Sequence, residues 1–207
     1  MTSPPADARR VTVAPERLER WLTGFRERHG ETEETVGPDR VELVGADGDR
    51  AWLDVPFPPL VGDTVGDLVA HATRSRRVGV LLVRRGGYAA GVFDGTALIS
   101  SKVGSSYVQG GTKAGGWSQQ RYARRRANQA EAAFATAADG AAGVLAGAAL
   151  EAVVAGGDRE AVRAVLADRR LAHLDPTGPW LEVKDPRRRV LEATPEQFRA
   201  VRISLVP

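Results

Sequence analysis

Two tight-turn signals, Gly86-Gly87 and Asp94-Gly95, cut residues 77–102 into three short segments, and that spacing leaves the chain little choice but an antiparallel meander. The first segment, Arg77–Arg84, has a continuous apolar centre from Val78 to Val83, which reads as a strand buried on both faces. Tyr88–Phe93 and Thr96–Lys102 supply the second and third strands. A sheet buried on both faces needs helices to cover it. The Ala-rich stretch from about Trp117 to Leu150 predicts one, with Gly140 as a candidate interruption. Ala152–Ala155 then reads as a strand, Gly156-Gly157 as its turn, and Asp158 as the N-cap of a helix ending near Arg170. Strand, turn and helix in that order imply α/β packing. Trp180–Lys184 and Val201–Val206 are further candidate strands, and Pro195 suits the start of a short helix between them.

Upstream of the meander the chain changes character. Residues 1–10 are polar and Pro-containing and predict a disordered tail. Pro15 opens a helix whose apolar residues Leu18, Trp21, Leu22 and Phe25 repeat at i, i+3, i+4 and i+7, and Gly30 closes it. Arg40–Val44 and Arg50–Val55, joined by Gly45-Ala46-Asp47-Gly48, predict a hairpin to cover that stripe. Pro56-Phe57-Pro58-Pro59 reads as a stiff linker, and Thr64–Thr73 as a short helix. The expected organisation is a tail over 1–10, a small α+β unit with its linker over 11–59, and an α/β domain over 60–207. A chain of 207 residues with 43% hydrophobic content supports one such core and a small appendage.

Composition removes several classes of chemistry. There is no cysteine, so disulfides and thiolate zinc sites are excluded, and His29, His71 and His173 lack metal-ligand spacing. A mechanism without metal or cofactor is expected. No apolar run approaches the roughly 20 residues needed to cross a bilayer, and the start has neither a basic nor an apolar signal region. No membrane partner is expected, and the cytoplasm is the expected compartment. The net charge of +3 conceals an uneven distribution: from Gly95 to Ala130 there is no Asp or Glu, while Lys102, Lys113, Arg121, Arg124, Arg125 and Arg126 all fall inside. Such a block favours phosphate-rich partners.

Familiar motifs fail within this block and around it. Gly110-Gly111-Thr112-Lys113 lacks P-loop spacing, and Gly116-Trp117-Ser118-Gln119-Gln120 breaks the serine-hydrolase elbow pattern at its last position. Gly156-Gly157-Asp158 reads as a strand-to-helix turn rather than an anion site, and Asp94-Gly95 as a hairpin turn rather than half of a metal-binding pair with Glu151. What remains is a loop with Gly104, Gly110, Gly111, Gly115 and Gly116, and with Tyr107 and Trp117 available for stacking on bases. Arg121, Arg124 and Arg125 follow at i, i+3 and i+4, one helix face for a phosphate backbone. The carboxamides of Gln119 and Gln120 have no useful pKa. Either can orient a water, and its amide or backbone N–H can stabilise an oxyanion, worth on the order of 3 kcal/mol per donor. That equipment suits an activated ester such as peptidyl-tRNA and is poor for amide or phosphodiester cleavage.

The segment Gly115-Gly116-Trp117-Ser118-Gln119-Gln120-Arg121-Tyr122-Ala123-Arg124-Arg125-Arg126 resembles the Gly-Gly-Gln loop and following Arg-rich helix of archaeal and eukaryotic peptide-chain release factors. It is more similar still to the Vms-type peptidyl-tRNA hydrolases of ribosome quality control, in their actinobacterial branch. Tyr88–Gly95, Lys102 and Tyr107 resemble that family's lead-in, and the likeness covers about Arg76 to Ala130, continuing more weakly to the C-terminus. The resemblance implies a ribonuclease-H-like mixed sheet with flanking helices, here preceded by a small α+β extension. It implies hydrolysis of the ester of peptidyl-tRNA on stalled large ribosomal subunits, with peptidyl-tRNA, large-subunit rRNA and other quality-control factors as partners. Trp117 and Ser118 stand between the glycines and the first glutamine, a departure from Gly-Gly-Gln. Gln119 is the first candidate for the catalytic residue because Ser118-Gln119 matches the Gly-Ser-Gln form of Vms-type loops, and Gln120 is the second. Gly115, Gly116, Trp117 and Ser118 make up the catalytic loop, and Lys102, Tyr107, Lys113, Arg121, Arg124, Arg125 and Arg126 are expected to bind RNA. Two rival readings use the same residues differently: a non-catalytic RNA- or ribosome-binding module, and a metal-dependent nuclease.

Overall fold

The computed structural model describes residues 3–105 and 118–207, and over 118–128 the backbone alone. Along the chain the elements are β1 (Arg9–Val13), α1 (Pro15–His29), β2 (Thr32–Val36), β3 (Arg40–Gly45), β4 (Arg50–Asp54), α2 (Val65–Thr73), β5 (Arg77–Arg84), β6 (Gly87–Asp94), β7 (Ala97–Ser105), α3 (Ser118–Leu145), β8 (Ala152–Gly157), α4 (Arg159–Leu166), α5 (Arg188–Glu192), α6 (Pro195–Phe198) and β9 (Val201–Val206). They divide into two compact units, residues 1–75 with 195–207, and residues 76–194.

The first unit is an antiparallel sheet in the order β1-β9-β4-β3-β2. Helix α1 forms as its pattern dictates, with Pro15 at its start and Leu18, Leu22 and Phe25 buried. Gly30 ends it at φ 76°, its N–H bonding the Arg26 carbonyl. Helix α2 is fixed by a reciprocal cap: the Thr64 hydroxyl accepts from the Asp67 N–H, and the Asp67 carboxylate accepts from the Thr64 N–H. Both helices pack over Val41, Leu43, Leu53 and Ile203 of the sheet.

Two edge strands of this unit were not expected. β1 begins at Arg9, inside the expected tail, and β2 is the polar run Thr32-Glu33-Glu34-Thr35-Val36. The stiff linker expected at Pro56–Pro59 does not lead out of this unit, because Leu60 just beyond it is buried in the unit's core. Strand β9 forms where expected but pairs with β1 and β4, closing the first sheet with the end of the chain.

The second unit holds the predicted meander. Its sheet runs β7-β6-β5-β8, with β5 and β8 parallel and the other pairs antiparallel. Arg84 pairs with Gly87 across the Arg85-Gly86 turn, and Gly95 turns the next hairpin at φ 59°. Successive residues of a strand alternate between sheet faces. One face, carrying Leu81, Val83, Tyr88, Ala90 and Val92, is covered by Ala137, Ala138, Ala141 and Leu145 of α3 and by Ala161, Val162 and Val165 of α4. On the other face Leu191 of α5 packs close to Gly91. A mixed sheet with flanking helices is therefore present, as the sequence predicts.

Three local expectations change. Helix α3 runs through Gly140 without interruption, and the glycine serves packing instead: a Cβ there would lie 1.9 Å from the Tyr88 hydroxyl, so only glycine lets helix and ring approach so closely. Helix α4 stops at Leu166, short of Arg170. Trp180–Lys184 forms no strand among the described residues and touches the sheet by a single bridge between Leu181 and Gly156. Among the described residues no helix is long and apolar enough to cross a membrane.

Candidate functional site

The site is built around the connection from β7 to α3. Tyr107, Lys113, Gly115, Gly116 and Trp117 lie outside the described residues. Ser118, Gln119 and Gln120 form the first turn of α3, and Arg121, Arg124, Arg125 and Arg126 follow on the next turns. The first four N–H groups of a helix lack intrahelical acceptors, and the aligned peptide dipoles leave partial positive charge there. No acidic residue occupies this first turn to neutralise it. A developing oxyanion or a phosphate is thus favoured where Gln119 and Gln120 stand. Lys102 is exposed on β7, paired with Ala90, and so projects from the face that α3 covers.

What holds this helix lies two-thirds of the way along it. Ala137, Ala138, Ala141 and Leu145 are buried against the sheet, their small size bringing the helix down onto Tyr88. The Tyr88 ring lies between two glycines: a Cβ at Gly104 would meet its Cε1 at 2.3 Å, and one at Gly140 its hydroxyl at 1.9 Å. Burial first, and the nearby charge of Asp139 second, push the Tyr88 phenol above its ordinary pKa. Arg170 ties α3 to the segment after α4, donating to Asp139 at 2.6 Å and to Asp168 at 2.7 Å. The Arg170 side chain, and then its backbone N–H, hold the Asp168 carboxyl down at about 2.

The carboxylates that a metal-dependent nuclease would need are otherwise engaged. Glu151 accepts from the Arg77 N–H at 2.9 Å, and Asp94 lies 3.8 Å from the Arg77 guanidinium, both at the end of β5 remote from Ser105. Among the described residues, the trio close enough to share an ion is His29, Asp47 and Asp49 in the first unit. There the His29 ring is 2.9 Å from Asp47 and 3.4 Å from Asp49, and the Asp47 carboxylate also accepts from the Asp49 N–H. The hydrogen bond from His29 is the first cause holding the Asp47 carboxyl below its ordinary value.

One group of cations carries no contiguous signal in the sequence. Beside Ser105, the last residue of β7, a cleft of 840 Å³ is lined by Arg84, Arg85, Asp158, Lys184 and Arg187. The signals were present in the Arg84-Arg85 turn and in the run Lys184 to Arg189, but they stand about 100 residues apart in sequence. Strand β8 lying parallel to β5 brings them together.

A family model described as "Actinobacteria/chloroflexi VLRF1 release factor" matches residues 76–204. The chain belongs to this VLRF1 family. The match covers more than half of the chain and begins at Arg76, the first residue of the second unit. It spans β5 to β7, the whole loop and α3, so the acid-free block and its glutamines fall inside the VLRF1 region. No match was found among curated proteins. Membership gives the chain a release-factor-like, ribosome-associated character.

Proposed function

We propose that this chain is a peptidyl-tRNA hydrolase that frees the nascent peptide from tRNA on stalled large ribosomal subunits, in the cytoplasm. The observation that carries this reading is the placement of Gln119 and Gln120 in the first turn of α3, inside the VLRF1-matched region and directly before four arginines. The glutamine amide orients the attacking water, and helix N–H groups stabilise the oxyanion formed as the ester carbonyl is attacked. The ester bond breaks, the peptide leaves as a carboxylic acid, and the tRNA ribose regains its hydroxyl. Gly115, Gly116, Trp117 and Ser118 carry the glutamine to the ester. Lys102, Tyr107, Lys113, Arg121, Arg124, Arg125 and Arg126 hold rRNA and tRNA by phosphate contact and stacking.

The second unit, with the loop, is the catalytic domain in this reading. The test is peptide release from purified large-subunit complexes carrying peptidyl-tRNA. Release by the wild type is expected. Salt-sensitive binding without release would instead assign the chain to a non-catalytic ribosome-binding module, and RNA cleavage abolished by EDTA would assign it to a nuclease.

A further inference from the structure

The cleft beside Ser105 has a charge pattern that the fold does not need. Arg84, Arg85, Lys184 and Arg187 line it, against two acids, Asp158 and Asp185. Both acids are committed. Asp158 caps α4, accepting from the N–H groups of Glu160 and Ala161, and Asp185 lies 2.5 Å from Arg187. Arg84 donates to the Val183 carbonyl at 3.0 Å, which fixes its guanidinium at the cleft wall without neutralising it. Among the described residues no ion pair engages Arg84, Arg85 or Lys184. All three side chains are exposed.

Position adds a second argument. The cleft lies at the carboxyl ends of the parallel pair β5 and β8, where open α/β sheets bind ligands. Val103 and Ser105 face it from the side of the sheet opposite to α3, whereas Lys102 faces the α3 side. An RNA strand passing the end of β7 therefore meets cations on both faces of the sheet at the root of the loop. A volume of 840 Å³ admits a nucleotide with its phosphate.

We infer that this cleft holds the phosphodiester backbone where the single-stranded 3′ end of tRNA leaves the acceptor stem, several nucleotides back from the ester that meets the glutamines of α3. This rests on the hydrolase reading above for the identity of the RNA. Arg84, Arg85 and Lys184 contact the phosphates. Arg187, already neutralised by Asp185, contributes less. Because Asp158 fills the N-terminus of α4, the anion is held by side chains and not by helix N–H groups.

The experiment uses the full chain and a fluorescent, deacylated acceptor-stem RNA with its single-stranded 3′ end, so that release chemistry plays no part. Binding is measured from about 50 to 200 mM salt for the wild type, for Arg85→Ala with Lys184→Ala, and for the charge reversal Arg85→Glu. A control, Arg163→Ala with Arg169→Ala, removes two exposed cations outside the cleft. Each phosphate contact in single strands contributes about 0.7 to the salt slope, so the double cleft variant should lower the slope by about 1.4 and weaken binding on the order of tenfold at low salt. The control should bind as the wild type does, and Arg85→Glu should bind less than the wild type. An unchanged slope in the cleft variants overturns the inference, as does an equal loss in the control. Co-sedimentation with empty large subunits is run in parallel, and a loss confined to them overturns the inference in favour of rRNA. A wild type that binds this RNA through the cleft yet releases no peptide sinks the hydrolase and leaves the cleft standing.

Discussion

Replacing Gly140 by alanine should destabilise the protein even though it improves the intrinsic helix propensity of α3. In a helix interior alanine is better than glycine by about 1 kcal/mol. Against that gain, the new Cβ would lie 1.9 Å from the Tyr88 hydroxyl, 2.4 Å from Cζ and 2.6 Å from Cε2. The ring cannot step aside, since Tyr88 is 4% exposed and its other edge abuts Gly104. Forcing extra volume into a packed core costs about 1 to 3 kcal/mol. The net effect should be a loss of up to about 2 kcal/mol. In a Tyr88→Ala background the obstacle is gone, and the same change should stabilise by about 1 kcal/mol. Urea unfolding of the four proteins in a double-mutant cycle measures this, with a coupling of about 1 to 3 kcal/mol expected. The consequence reaches the loop. Gln119 lies about 21 residues from Gly140, or about 31 Å along the helix. Tilting α3 by only about 2° to relieve the clash moves Gln119 by about 1 Å, enough to cost up to about a hundredfold in rate. Equal stabilisation by alanine in both backgrounds would refute this account of how α3 is seated.

Two further changes test the fold. Gly157 sits at φ 94°, and a Cβ there would be 2.3 Å from the Val83 carbonyl oxygen, so Gly157→Ala should cost about 1 to 3 kcal/mol, read as a lower urea midpoint. Asp168 is held from its ordinary 3.8 down to about 2, first by the Arg170 side chain. A carboxyl lowered on folding contributes stability above its unfolded value and loses it as pH falls through the folded one. The melting temperature should therefore decline between pH 4 and 2, and Asp168→Asn should flatten that decline. An identical pH profile in the variant would remove Asp168 as its source.

Legibility in the sequence followed the locality of the interactions. The meander was readable because Gly86-Gly87 and Asp94-Gly95 set its turns within a few residues of the strands they join. Helix α1 was readable because Leu18, Leu22 and Phe25 fall on one face. Strands β1 and β2 were not, since both are edge strands with mostly exposed residues and carry no apolar alternation for their full length. The partners of β9 lay hidden too: Val11 meets Ile203 across nearly the whole chain, and no local signal encodes that pairing. Gly140 stands as a candidate interruption in the sequence because its local cost is visible there, whereas its compensation by Tyr88 is tertiary. For the site, the acid-free block and its glutamines were contiguous and could be found. The cleft was not, because Arg85 and Lys184 meet only through the parallel pairing of β5 and β8.

The central claim concerns one amide at the start of α3, and single-turnover peptide release from stalled large-subunit complexes tests it most directly. With equal occupancy confirmed by co-sedimentation, Gln119→Ala should lose release by about a hundredfold or more while binding as the wild type does, and Gln120→Ala should retain most of it. Wild-type release by the Gln119 variant, with loss in the Gln120 variant, would move the role by one residue. Wild-type release by both would contradict the account.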